Sequence, residues 1–177
     1  MNIIVRKATI EDINPIYQLA KKLADIPNGL ARQSSEINLS DITNIVNNSL
    51  NNGKIYVAHK EDDKNNLIGN IYCYKYAPNS LKHCLANLTI GVLKEYQNYG
   101  IGRNLFSTLL QDVASNNKEI ARIQLEVRES NSKAITLYQS LGFEIEAIMK
   151  NRILDSEGNL GSDILMAWFN PNFQQSK

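Results

Sequence analysis

Val92-Leu93-Lys94-Glu95-Tyr96-Gln97-Asn98-Tyr99-Gly100-Ile101-Gly102-Arg103 is the stretch that decides how this chain is read. A strand rich in Leu, Ile and Val over residues 83–92 runs into a tight turn with two glycines. A long helix follows from Gly102 to Asn116, with Leu105, Leu109 and Val113 in a stripe. Glycines let the backbone approach a ligand closely, and the N–H groups of a first helical turn point at whatever sits above them. With the helix dipole, this makes a seat for phosphate or pyrophosphate, to which Arg103 and Lys94 add charge-assisted contacts. An ATP or GTP phosphate loop is excluded, because no Lys-Ser or Lys-Thr follows the glycines. A dinucleotide GxGxxG is excluded too, since its third glycine would fall on Leu105. The glycines alone are equally served by a plain strand-to-helix turn.

Further along stands Leu125-Glu126-Val127-Arg128-Glu129-Ser130-Asn131-Ser132-Lys133-Ala134-Ile135-Thr136-Leu137-Tyr138-Gln139-Ser140-Leu141-Gly142-Phe143. Helical spacing puts Ala134, Leu137, Tyr138 and Leu141 on one face, so Tyr138 points inward with the apolar stripe. A buried phenol needs a hydrogen-bond partner. It is either a satisfied core tyrosine or a proton donor in a cleft. Asn131 reads as the helix N-cap and Gly142 as its left-handed C-cap. Glu126 reads as a strand carboxylate on the face opposite Leu125 and Val127.

Together the two stretches resemble the GNAT superfamily of acetyl-CoA-dependent N-acetyltransferases. Gln97, Gly100 and Gly102 match its pyrophosphate turn, and Asn131 through Phe143 match its second signature. The motifs cover residues 88–143; the order of elements extends the likeness to the whole chain. The resemblance implies an α/β fold (an α+β mixed sheet): a central, mostly antiparallel sheet with splayed fourth and fifth strands, flanked by helices. It implies acetyl-CoA as co-substrate and no metal. Backbone groups of Ile90, Gly91 and Val92 would meet the pantetheine arm. Gln97, Asn98, Tyr99, Gly100, Ile101, Gly102 and Arg103 would wrap the pyrophosphate. Asn131 would contact the cofactor arm, Tyr138 would protonate the departing thiolate, and Glu126 would be the general base. The Leu-Glu-Val-Arg stretch especially resembles enzymes acetylating the N-terminal alanine of a ribosomal protein. These roles are chemically coherent: the attacking amine must lose a proton, the developing oxyanion needs backbone donors, and alignment of the reactants supplies much of the rate. Two positions depart from the pattern: Asn98 stands where glycine is common, and Lys94 where proline is usual. The acceptor-side segments 25–30 and 151–169 also differ from those of the ribosomal-protein enzymes, so peptide specificity is not inherited.

Around this centre the chain reads as βαα, βββ, α, β, α, ββ. A short strand at Ile3 and Val5 precedes a helix carrying Ile13, Ile16, Tyr17, Ala20 and Leu23, broken at Pro27-Asn28-Gly29. Ser40 or Asp41 caps a second helix through Ile42, Ile45, Val46 and Leu50. Strands at 54–59 and 67–74 flank a charged turn at 61–66. Strands at 120–128, 143–153 and 162–169 and a helix at 132–141 complete the set. No repeat or linker interrupts it, so residues 1–177 are expected to form a single N-acetyltransferase domain.

Nineteen basic against eighteen acidic residues give a formal charge of +1, which argues against gripping nucleic acid or an anionic membrane through bulk charge. No run approaches the roughly 18 apolar residues of a membrane helix, and the first residues lack the pattern of a signal peptide. Cys73 and Cys84 lie far from CxxC spacing, which points to a reducing cytoplasm. A metal set of His83, Cys84, Cys73 and a distant carboxylate is disfavoured against two buried thiols. A Cys84 nucleophile lacks a histidine–carboxylate partner. Abundant Asn reads as genome composition. Edge strands near the C-terminus offer pairing between copies, which would make a homodimer.

The expected function is therefore direct acetyl transfer to a primary amine of unassigned identity, a small molecule or a protein terminus. The acceptor rim, with Asp25, Arg32, Glu36, Lys150, Arg152 and Asp155, has mixed sign. The alternative is a non-catalytic acyl-CoA sensor, against which the pairing of Glu126 with Tyr138 argues, because binding alone needs neither.

Overall fold

A computed structural model describes residues 2–26, 32–155 and 157–175. The expected helix break at Pro27-Asn28-Gly29, and with it most of the acceptor-side segment 25–30, lies outside them. The chain falls into two compact units, one of residues 1–74 and 89–111, the other of residues 75–88 and 112–177.

The first unit begins with β1 (Ile3–Lys7), followed by α1 (Ile13–Ala24) and α2 (Leu39–Asn52). A hairpin follows, β2 (Gly53–Lys60) and β3 (Asp63–Lys75). β1 pairs antiparallel with β2, and β2 with β3. The apolar stripes meet in one core, where Ile16, Leu19 and Leu23 of α1 and Ile42 and Val46 of α2 lie with Ile55, Val57 and Leu67. The junction between β1 and α1 is tied by a fork: Arg6 donates from Nη1 and Nη2 to the two oxygens of Asp12, both at 2.8 Å. The Thr9 N–H adds a bond of 2.7 Å to the same carboxylate. Although burial opposes ionisation, the fork and Thr9 hold the Asp12 carboxyl below its usual range.

Two expectations shift here. The cap of α2 is Asn38, whose side-chain oxygen accepts from the Asp41 N–H at 2.8 Å, two residues ahead of Ser40. Asparagine caps as well as serine or aspartate, and starting the helix at Asn38 places Leu39 and Asp41 in its first turn. Within that helix Ser49 takes the buried position, and Leu50 is 39% exposed. The charged turn expected at 61–66 is also mostly strand. β3 begins at Asp63, because the hairpin extends into an exposed arm beyond irregular register at His59.

The second unit holds the opening of β4 (Cys84–Val92), β5 (Arg122–Arg128), α4 (Ser132–Ser140) and the hairpin β6 (Glu144–Leu154) with β7 (Leu160–Phe169). β4 and α3 (Ile101–Asn116) each contribute residues to both units. The strand order is β1-β2-β3-β4-β5-β7-β6. β4 and β5 share a parallel register at their first residues, Cys84↔Arg122 and Leu85↔Ile123. Beyond it, β5 pairs antiparallel with β7 along its whole length, from Arg122↔Phe169 to Arg128↔Asp163.

Two residues past the parallel register, Asn87 adopts φ 54 inside β4. A left-handed residue rotates the ladder out of line, and asparagine tolerates that conformation better than any β-branched neighbour. It marks where the strand changes character. Cys84, Leu85 and Ala86 are buried, whereas Asn87 is exposed and Leu88 half-buried. This is the expected departure of the fourth strand from the fifth, with its physical cause. A lone asparagine in Leu-Ala-Asn-Leu-Thr-Ile was the available signal.

Candidate active site

In the first unit the turn after β4 is built from the backbone outward. The Leu93 N–H donates to Ile68 O at 2.9 Å, and a single 3₁₀ turn spans Lys94–Tyr96. Gln97 then folds its amide back to donate to Val92 O at 3.1 Å, so its side chain braces the turn. Asn98 (φ 68) and Gly100 (φ 77) are both left-handed. The departure at Asn98 is thereby explained. The position needs positive φ, which glycine supplies freely and asparagine accepts.

The first helical bond of α3 runs from Asn104 N–H to Gly100 O at 2.9 Å, so the helix offers no internal acceptor to the N–H groups of Ile101 and Gly102. Residues 97–100 are exposed, Tyr99 at 69%. A Cβ on Gly100 would meet nothing within 4 Å, and one on Gly102 only Ile90 Cδ1 at 3.9 Å. The turn is thus an open cradle of backbone donors at a helix N-terminus, with the Arg103 and Lys94 side chains exposed beside it. It fits a pyrophosphate.

Just upstream, Ile90, Gly91 and Val92 are half-buried. Gly91 has a packing reason of its own: a Cβ there would stand 2.3 Å from Leu23 Cδ1 of α1.

In the second unit, alternation along β5 buries Ile123, Leu125 and Val127 and leaves Glu126 exposed, as its sequence position requires. Glu126 is not alone. Arg152 Nη2 of β6 donates to its two oxygens at 3.0 and 3.3 Å. On the same outer face, β7 carries Asp163 opposite Arg128, only 5% exposed. Burial raises the Asp163 carboxyl above its usual range, Glu126 adds to that, and Arg152 and Arg128 oppose it. Neither Arg152 as the Glu126 partner nor Asp163 as its neighbour could be read from the sequence.

Tyr138 lies in α4, 8% exposed, its ring 6.0 Å from that of Phe143. Burial pushes its phenol up to about 12. The end of α4 sits on the sheet face away from Glu126: a Cβ on Gly142 would stand 3.5 Å from Trp168 Cδ1, and Trp168 pairs with Ile123. Asn131 caps α4, its Oδ1 accepting from the Ala134 N–H at 3.2 Å. Gly142 has φ 90. Cys73 and Cys84 are free, buried thiols. Burial pushes the Cys73 thiol to about 12 and raises that of Cys84, the reverse of what an activated nucleophile needs. No helix among the described residues is long and apolar enough to cross a membrane.

The family model described as Acetyltransferase (GNAT) family matches residues 17–143, which contain both the cradle and the α4 signature. The chain belongs to the GNAT acetyltransferase family. Among curated proteins, this GNAT chain is 39% identical over 69 residues to the [ribosomal protein bS18]-alanine N-acetyltransferase of Escherichia coli (strain K12), which is 39% of this chain and 45% of that one. It is 38% identical over 73 residues to an N-alpha-acetyltransferase of Sulfurisphaera tokodaii, covering 40% and 41% of the two chains. The matches thus span less than half of those relatives' length.

Solved structures agree in fold over nearly the whole GNAT chain. A GNAT-family acetyltransferase of Streptococcus pneumoniae superposes with a TM-score of 0.85 at 19% identity, covering 95% of this chain and 99% of that one. YncA of Salmonella typhimurium, solved with its cofactor acetyl-CoA, gives 0.84 at 16% identity over 100% and 99%.

Proposed function

We propose that the chain transfers the acetyl group of acetyl-CoA directly to a primary amine. The observation that carries this reading is the turn at 97–103, exposed over residues 97–100, where left-handed Asn98 and Gly100 lead into the N-terminus of α3 and a Cβ on Gly100 would meet nothing within 4 Å. Acetyl-CoA supplies the thioester that makes the acetyl group transferable. Residues 97–103 hold its pyrophosphate, and the backbone of Ile90, Gly91 and Val92 meets its pantetheine arm. With its Oδ1 engaged in the cap, Asn131 has its amide NH₂ left to contact that arm.

Glu126 takes, directly or through a water, the proton that the acceptor ammonium must lose before its nitrogen can attack the carbonyl carbon. Tyr138 holds the proton that the sulfur needs as the carbon–sulfur bond breaks. Its neutral form at physiological pH supports that role. The likeness to a bS18-alanine N-acetyltransferase supports a protein N-terminus among the acceptors to be tried first. The free thiols of Cys73 and Cys84 are in keeping with a reducing cytoplasm.

A thiol-release screen tests the reading, with acetyl-CoA against alanine-initiated peptides, small amines and aminoglycosides. The expected result is CoA release matched by an N-acetyl product in the mass spectrum. Tight acetyl-CoA binding without turnover across the panel would instead support a sensor, and absence of binding would remove both.

A further inference from the structure

The ion pair between Glu126 and Arg152 joins strands that are not neighbours. The order is β5-β7-β6, so a bond from Glu126 of β5 to Arg152 of β6 passes over β7. It crosses where Leu165 lies opposite Glu126 and Asp163 lies opposite Arg128. Arg152 reaches that far from an irregularity in β6 between Met149 and Ile153, where Asn151 has φ 55. Glu126 and Asp163 are therefore diagonal neighbours on one face, with backbones about 7–8 Å apart. Two carboxylates so placed are within the span of a single ammonium group.

Beneath that strap Asp163 is 5% exposed, and its Oδ1 has no hydrogen-bond partner. An unpaired buried carboxylate oxygen keeps the full cost of its lost hydration with no bond to offset it. The same chain shows how it treats a carboxylate kept for structure: both oxygens of Asp12 are bonded, to Arg6 and Thr9. Asp163 lacks that treatment. Two cations act on Asp163, Arg128 from the opposite position on β5 and Arg152 from β6, and of these the Arg152 guanidinium is 51% exposed and anchored to Glu126 from a long side chain.

We propose that this face is the seat of the acceptor's ammonium group: the incoming primary ammonium displaces Arg152 from Glu126 and donates hydrogen bonds to both Glu126 and Asp163 Oδ1. A cation replaces a cation, so the charge of the face is conserved, and the orphaned oxygen gains a donor. The exchange also frees Glu126 from the guanidinium, which otherwise competes for the oxygens that must receive the proton. Arg152 thus guards the base, and Asp163 is a positioning residue that selects a charged amine over a neutral amide. The inference rests on the acetyl-transfer reading for its purpose, although the seat itself is a binding property.

The experiment uses the full chain and two primary ammonium probes, L-alaninamide and cadaverine, with N-acetyl-L-alaninamide as the neutral control. Carboxyl ¹³C shifts, assigned through the backbone, should show the Asp163 signal moving saturably with both ammonium probes and not with the control. In thiol-release assays Asp163→Asn should raise the KM for the amine by about tenfold to a hundredfold, the worth of one hydrogen bond to a charged group. The KM for acetyl-CoA should stay within about twofold, since the lost bond is to the amine. Arg152→Gln should lower the amine KM, because the resident cation is gone. If Asp163→Asn does not fold, the wild-type titration and the Arg152→Gln kinetics still decide. A silent Asp163 signal, or an amine KM unmoved by either substitution, overturns the seat. A responsive Asp163 in a protein that releases no thiol keeps the seat and sinks the transfer reading. Turnover with a silent Asp163 does the reverse.

Discussion

At the scale of single residues, Tyr138 makes the sharpest statement about pH. A free tyrosine loses its proton near about 10. Burial against Phe143 pushes that of Tyr138 to about 12. The folded value is raised, so the neutral phenol is favoured: its contribution to stability is complete below the unfolded value and is lost as pH rises towards 12. For catalysis, kcat should therefore show no alkaline decline from this group below about pH 11. Tyr138→Phe should lower kcat by about 10²–10⁴, as loss of a positioned proton donor does, at every pH of a steady-state profile from 6 to 10. Full turnover in the phenylalanine variant would remove the role. The inward direction of Tyr138 and the outward one of Glu126 were both legible in the sequence, because helix and strand periods fix them. The surroundings of Glu126 were not. Asp163 neighbours it because β7 pairs with β5, and Arg152 reaches it from β6 across β7, a long-range order that no local spacing encodes.

At the scale of elements, the turn into α3 separates two glycines that look alike in sequence. Gly100 has φ 77 and open space around it, so an added methyl group meets no neighbour and any strain lies in the backbone alone. Gly100→Ala should cost about 1–2 kcal/mol from forcing a side chain into the left-handed region. Because that strain reshapes the cradle, it should also raise the KM for acetyl-CoA. Gly102 lies inside the helix with Ile90 Cδ1 no nearer than 3.9 Å, and Gly102→Ala should be neutral or stabilising by up to about 1 kcal/mol. Thermal melts and acetyl-CoA kinetics on the two variants check this; equal effects would mean that the positive φ is not what the turn requires. Asparagine carries related duties elsewhere. The left-handed residues other than glycine among those described are Asn87, Asn98 and Asn151, and Asn38 and Asn131 cap helices. What reads as compositional bias in the sequence is, at these positions, local backbone chemistry. The helices and most strands were legible from apolar periodicity. The extension of β3 back to Asp63 was not, because an exposed hairpin arm has no apolar pattern to show.

At the scale of the whole molecule, we propose that the two compact units unfold as one domain. The division falls within β4, between Leu88 and Thr89, and within α3, between Gln111 and Asp112. Separate unfolding would cut a helix of 16 residues and leave its last turn and a half on one side, a fragment far too short to stay helical alone. It would also end a strand in mid-ladder. Cooperativity should therefore pass through both elements, and the single tryptophan makes it measurable. Trp168 belongs to the second unit, whereas Leu19, 2% exposed in the core of α1, belongs to the first. Leu19→Ala should destabilise by about 2–5 kcal/mol through lost burial and the cavity left behind. Urea denaturation followed by Trp168 fluorescence and by far-UV circular dichroism should then show coincident midpoints, both lowered by the substitution. A Trp168 transition that holds its midpoint while the dichroism splits in two would mean that the units fold separately, and the single domain would have to be abandoned.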